Sequence, residues 1–169
     1  IAPEIWVAQL NEYLTQMSEA IFNHDGYLDK FMGDGIMATW NAFGNQPDHA
    51  DLAARAALEM LQRLEILNKY WEKKEDRTPF RIGVAVHTGE AIIGNVGSDE
   101  RMQYTAIGDT VNTASRIEGM TKEYGVMFIA SETSAEKLSA GIVDLEEIGE
   151  AEGRGRAQKI RIFARAGEH

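Results

Sequence analysis

The chain has 169 residues, 44% of them hydrophobic, which suits one compact domain able to bury its own core. It carries no cysteine, which excludes disulfides and thiolate metal sites and fits a reducing, cytoplasmic setting. A formal net charge of −10 repels phosphate backbones and anionic lipid, so broad nucleic-acid or membrane-surface binding is excluded, and a phosphate-bearing small ligand needs local cations or a divalent metal.

In chain order, Trp6, Leu10, Leu14, Met17 and Ile21 recur at steps of three and four and predict one face of a first helix. Pro3 suits its first turn and Gly26 its stop. Residues 27–32 and 36–40 flank Gly33-Asp34-Gly35 and predict a β-hairpin. Leu52, Ala56, Met60, Leu64, Leu67 and Trp71 mark a long second helix, with 72–79 as its exit loop. Residues 80–86 alternate as a strand, Thr88-Gly89 breaks it, 91–96 reads as its return strand and 97–101 as a loop. Asp109 is expected to cap a third helix from Thr110 to about Tyr124, closed by Gly125. Beyond it come a short buried strand at 126–130, a small helix at 131–138, and two strands within 143–164 joined by the loop 152–157. The order predicts an α+β sandwich with helices packed on a mostly antiparallel sheet. No apolar run approaches the ~20 residues that span a bilayer, and no stretch reads as a signal peptide.

Three patches are too particular to be scaffold: residues 29–38 around Lys30 and Asp34, residues 104–118 from Tyr104 to Glu118, and the Gly/Arg loop 152–156. Glycines flanking Asp34 let a divalent ion and a phosphate approach the backbone. Asn112 and Arg116 sit one turn apart and share a helix face. His87 alternates with Val84 and Val86 and reads as a strand histidine. No second histidine lies at metal spacing, so zinc is not expected.

The first two patches resemble the class III adenylyl and guanylyl cyclases, and the similarity runs over essentially the whole chain. The resemblance implies a ferredoxin-like sandwich that cyclises a nucleoside triphosphate: the ribose 3′-oxygen attacks the α-phosphorus and pyrophosphate leaves. It makes Asp34 one of two aspartates that bridge two ions, Mg²⁺ or Mn²⁺. It gives Lys30 and Thr105 to the base, Lys30 donating to an adenine ring nitrogen and Thr105 accepting from the exocyclic amine. It assigns Asn112 to orienting the ribose, and Arg116 to the charge that grows on the α-phosphate. Arg154, or Arg156 one step on, falls where the family carries a phosphate-contacting lysine.

The resemblance also implies a leading strand bearing the second metal aspartate, and the chain starts, at Ile1, about where that strand should already have ended. A single catalytic domain over 1–169, truncated at its N-terminus and part of a longer protein with an upstream regulatory region, is therefore expected; the fragment alone should be inactive. Because metal-binding and base-reading residues occur in one chain, the expected assembly is a head-to-tail homodimer with two shared sites. Lys30 favours ATP and a cyclic AMP product. The alternatives are a guanylyl cyclase of the same fold, a catalytically silent dimerisation or nucleotide-sensing module, and a diguanylate cyclase, whose double-glycine, double-acid turn is absent.

Overall fold

The computed structural model describes residues 2–153 and 158–168. Helix α1 (Pro3–Asn23) leads into a hairpin of β1 (Tyr27–Met32) and β2 (Gly35–Thr39), then α2 (His49–Glu72) and β3 (Val84–Val86). A second hairpin, β4 (Ile92–Ser98) and β5 (Arg101–Ile107), precedes α3 (Asp109–Tyr124), β6 (Phe128–Ser131), the one-turn α4 (Glu132–Ala135), β7 (Leu145–Glu152) and β8 (Lys159–Arg165). This is the expected α+β fold.

The central sheet has the order β3-β6-β8-β7, with β3 and β6 parallel and the other two pairings antiparallel. Strand β6 shows why it is central: its side chains alternate between two cores. Phe128 and Ala130 join Ala57, Leu61 and Val86 under α2, while Ile129 joins Ile117, Val126, Ile162 and Ala164 under α3. The two helices therefore cover opposite faces. Each large apolar side chain withdrawn from water in this way is worth about 1.5–3 kcal/mol before entropy is charged against it.

Helix α1 packs on α2 rather than on the sheet, through Tyr13 and Met17 against Leu64 and Trp71. Its buried stripe is Gln9, Tyr13, Met17, Ala20 and Ile21, rotated from the expected one; Trp6 is 42% exposed. The rotation has a polar cause. Gln9 is drawn inside because its amide donates to the carbonyl of Thr78, which periodicity of apolar residues does not register.

Three further expectations are corrected. The 91–96 segment does not return along β3; it pairs with β5, from Ile92 opposite Ile107 to Ser98 opposite Arg101. The expected 97–101 loop shrinks to a two-residue turn, Asp99-Glu100, and Gly97 lies within β4 opposite Met102 at φ +137°, where a Cβ would lie 2.0 Å from the Arg101 carbonyl oxygen. Asp109 does not cap α3 either. Gly108 occupies that position and Asp109 is the first helical residue, where its charge still suits the positive end of the helix. Both hairpins stand apart from the four-stranded sheet as separate two-stranded sheets. Among the described residues, no helix is long and apolar enough to cross a membrane.

Candidate active site

The two hairpins lie side by side. Phe43, in the loop after β2, packs on Tyr27 of β1 at 4.4 Å and on Tyr104 of β5 at 5.4 Å between ring centroids. Beneath these rings the hairpins are tied by polar contacts. Pairing in the first hairpin steps from Leu28–Ala38 to Lys30–Met37, leaving Asp29 as the extra residue of a β-bulge. Strict alternation would aim Asp29 and Lys30 at opposite faces; the bulge overrides it and turns the carboxylate towards β5.

There the Asp29 side chain is only 1% exposed. The hydroxyl of Thr105 donates to Asp29 Oδ1 at 2.7 Å, and the Ala106 N–H donates to Oδ2 at 3.1 Å. Lys30 Nζ lies 3.8 Å from the same Oδ1. Lys30 and Thr105, distant in sequence, thus share one carboxylate oxygen. Asp29 was not expected here, and its engagement with three groups leaves it unsuited to hold a metal ion.

Asp34 occupies the two-residue turn of the first hairpin, where Gly33 takes φ +67°, a conformation open to glycine at no cost. Its side chain is exposed and makes no hydrogen bond or ion pair among the described residues. Its charge is felt inward: the buried Tyr13 hydroxyl is pushed up to about 12, by burial first and then by Asp34 and Glu118. Glu118 on α3 is raised too, by burial and by Asp34. Glu118, a neighbour of that turn, carried no sequence signal of its own beyond lying in the second patch. The chemistry of Asp34 fits a hard divalent cation: an uncommitted carboxylate on an open, glycine-flanked turn. It is a single ligand, and no group of three or more His, Asp or Glu side chains that could hold a metal occurs among the described residues.

Helix α3 positions Asn112 and Arg116. Thr113, Ile117 and Thr121 are its buried stripe. Thr121 presses so closely on the run into β3 that a Cβ at Gly83 would fall 1.9 Å from its hydroxyl oxygen. Asn112 and Arg116, on the adjoining stripe, are exposed. Among the described residues Arg116 is not paired with an acid; its Nη1 donates to the backbone carbonyl of Glu152, at the end of β7. Arg154 and Arg156 lie outside the described residues. His87 falls just past β3, with Nδ1 2.7 Å from Ser131 Oγ, and burial holds its pKa below the usual histidine value. It has no part in the exposed cluster.

Of the expected residues, then, Lys30 and Thr105 are brought together, Asn112 and Arg116 share an exposed face, and Asp34 touches neither pair. Residues 1–164 match the adenylate and guanylate cyclase catalytic domain family. The chain belongs to the class III nucleotidyl cyclases.

Within that family, the cyclase domain is 41% identical over 162 residues to adenylate cyclase 1 of Rhizobium meliloti, covering 96% of the chain and 24% of that relative. The domain thus spans about a quarter of the length of the longer protein it matches. Among solved structures, it resembles the adenylyl cyclase CyaB from P. aeruginosa with a TM-score of 0.84 at 24% identity, covering 100% of the chain and 86% of that structure. It resembles the guanylyl cyclase Cya2 with a TM-score of 0.82 at 29% identity, covering 100% and 84%. The fold is shared by adenylyl and guanylyl enzymes alike, so the choice of base has to be argued from side chains.

Proposed function

We propose that the domain converts ATP to 3′,5′-cyclic AMP and pyrophosphate at sites shared between two copies of the chain. The observation that carries this reading is the meeting of Lys30 and Thr105 on one carboxylate oxygen. An ammonium donor beside a hydroxyl acceptor complements the adenine edge, with its ring-nitrogen acceptor and its amino donor. The guanine edge has the opposite pattern, a carbonyl acceptor and a ring N–H donor, and both groups would face like partners.

In the reaction, the 3′-oxygen loses its proton and bonds to the α-phosphorus as the bond to the bridging oxygen breaks and pyrophosphate departs. Asp34 is the residue that would hold a divalent ion, Mg²⁺ or Mn²⁺; when bound, that ion supplies charge neutralisation at the phosphates. The guanidinium of Arg116 stabilises the negative charge that develops at the α-phosphate, and the Asn112 amide fixes the ribose so that the 3′-oxygen is in line. Arg154, or Arg156 two positions on, is assigned to the departing phosphates.

Sharing between two copies is supported by the hairpins themselves. Phe31 and Met32 of β1, with Ile92 and Met102 of the second hairpin, are 48%, 55%, 67% and 57% exposed. Large apolar side chains left exposed on both hairpins are what a covering partner would bury, and a head-to-tail pair would bring the Asp34 turn of one copy to the α3 face of the other. The test is product formation by the full-length protein with ATP and with GTP, each with Mg²⁺ and Mn²⁺. Cyclic AMP is the expected main product. Preferential conversion of GTP would overturn the assignment of the base, and no cyclic product from either would favour a silent binding module.

A further inference from the structure

We infer that Asp29 is a positioning residue for base selection, acting by fixing the direction of the Thr105 hydroxyl. The inference rests on the ATP reading above and deepens it. A threonine hydroxyl has one proton and two lone pairs, so by itself it can face either an amino group or a carbonyl. Such a group discriminates poorly, because it turns to suit whichever base arrives.

Here it is not free to turn. Thr105 is 2% exposed, and its proton is directed onto Asp29 Oδ1 at 2.7 Å. The carboxylate can only accept, and it is itself held: Oδ2 receives the Ala106 N–H at 3.1 Å, and Lys30 Nζ stands 3.8 Å from Oδ1. With its proton spent inward, Thr105 has only lone pairs left for a ligand. It accepts from a 6-amino group and meets a 6-carbonyl with repulsion. The bulge in β1 is the structural means, since it alone puts Asp29 on the side of its neighbour Lys30. One buried acid therefore sets the polarity of the hydroxyl acceptor and anchors the ammonium donor.

Asp29→Asn is the informative change, because it keeps the shape and reverses one contact. The Ala106 N–H claims the amide oxygen, so the amide NH₂ faces Thr105 and donates to it. The hydroxyl then turns its proton outward. The probe is purine riboside triphosphate, which keeps the ring nitrogen read by Lys30 and lacks any 6-substituent. In the full-length protein, the ratio of kcat/KM for ATP to that for purine riboside triphosphate should be about tenfold or more in the wild type and fall close to one in Asp29→Asn, while inosine triphosphate, with its 6-carbonyl, gains relative to ATP. Displacement of a fluorescent nucleotide by the same three compounds gives a second readout that needs no turnover.

Equal losses on every nucleotide, with the wild-type ratios kept, would overturn the inference and leave Asp29 a structural tie between hairpins. A wild type that prefers GTP would instead overturn the ATP reading on which the inference stands. Should Asp29→Asn fail to fold, Asp29→Ser removes the carboxylate with less crowding and must lower the same ratio. A ratio unchanged in that variant would also refute the proposal.

Discussion

Arg116 on α3 donates a hydrogen bond to the backbone carbonyl of Glu152, tying the exposed face of the helix to the end of β7, next to the segment that carries Arg154. Among the described residues this neutral carbonyl is its partner, so on the proposed reading the guanidinium charge is left for the phosphate. Arg116→Ala should therefore lower kcat in the full-length protein by about 10²–10³, with KM changed only a few-fold, as expected for a contact that strengthens in the transition state. Arg116→Lys, which keeps the charge without the planar fork, should recover little of it. A variant whose KM rises while kcat holds would place Arg116 in ground-state binding instead.

The shared-site reading makes a quantitative prediction. Asp34→Ala and Asn112→Ala chains should each be inactive, and an equal mixture should regain about a quarter of wild-type activity. Random pairing gives half heterodimers, and each heterodimer has one intact site of two. Cyclic AMP assays on co-expressed chains measure this. A mixture no better than either variant alone would contradict sites built across two copies.

What could be read in the sequence divides by range. The turn carrying Asp34 was legible because a glycine at positive φ between two short apolar runs is a local signal, and the Asn112–Arg116 face because helical spacing is local too. The partner of β4 was not, since Phe80 to Val86 offered a plausible neighbour nearby and nothing local reveals that β3 spends its edge on β6. Asp29 was illegible twice over. A bulge leaves alternation of residue types undisturbed, and the groups that hold the carboxylate lie 76 and 77 positions away. The same holds for Gln9, a polar residue whose burial depends on the distant Thr78 carbonyl.

Gly33 offers a test of how far the site depends on its turn. At φ +67° an alanine pays roughly 1–2 kcal/mol, the usual cost of the left-handed region, while asparagine tolerates it better. Among the described residues, no atom beyond the adjoining residues lies within 4 Å of the position where a Cβ would stand, so crowding adds nothing. Gly33→Ala should lower stability in urea by about that amount and depress activity further by moving Asp34, and Gly33→Asn should do less of both. Equal effects of the two substitutions would show that backbone strain is not the cause.

Asp51, near the start of α2, gives a prediction in pH. It is 8% exposed and accepts from the Ser139 N–H at 2.8 Å and from the Ser139 hydroxyl, joining the helix to the segment before β7. These two bonds, and to a lesser degree the charge of Arg55, hold its carboxyl below the ordinary value of 3.8, against the opposing effect of burial. A carboxyl depressed in the folded state stabilises it fully above the unfolded value, and that contribution is lost as the pH falls through the folded one. Asp51→Asn keeps the shape but removes the charge, so it should cost about 1.5–3 kcal/mol near neutral pH, the range for hydrogen bonds to a charged group. The gap between wild type and variant should then close as the pH is lowered below 3.8 and through the depressed folded value, where the wild-type carboxyl also takes up its proton. Urea midpoints across that interval measure it, and a gap that stays constant would mean that the charge on Asp51 contributes nothing to holding α2 in place.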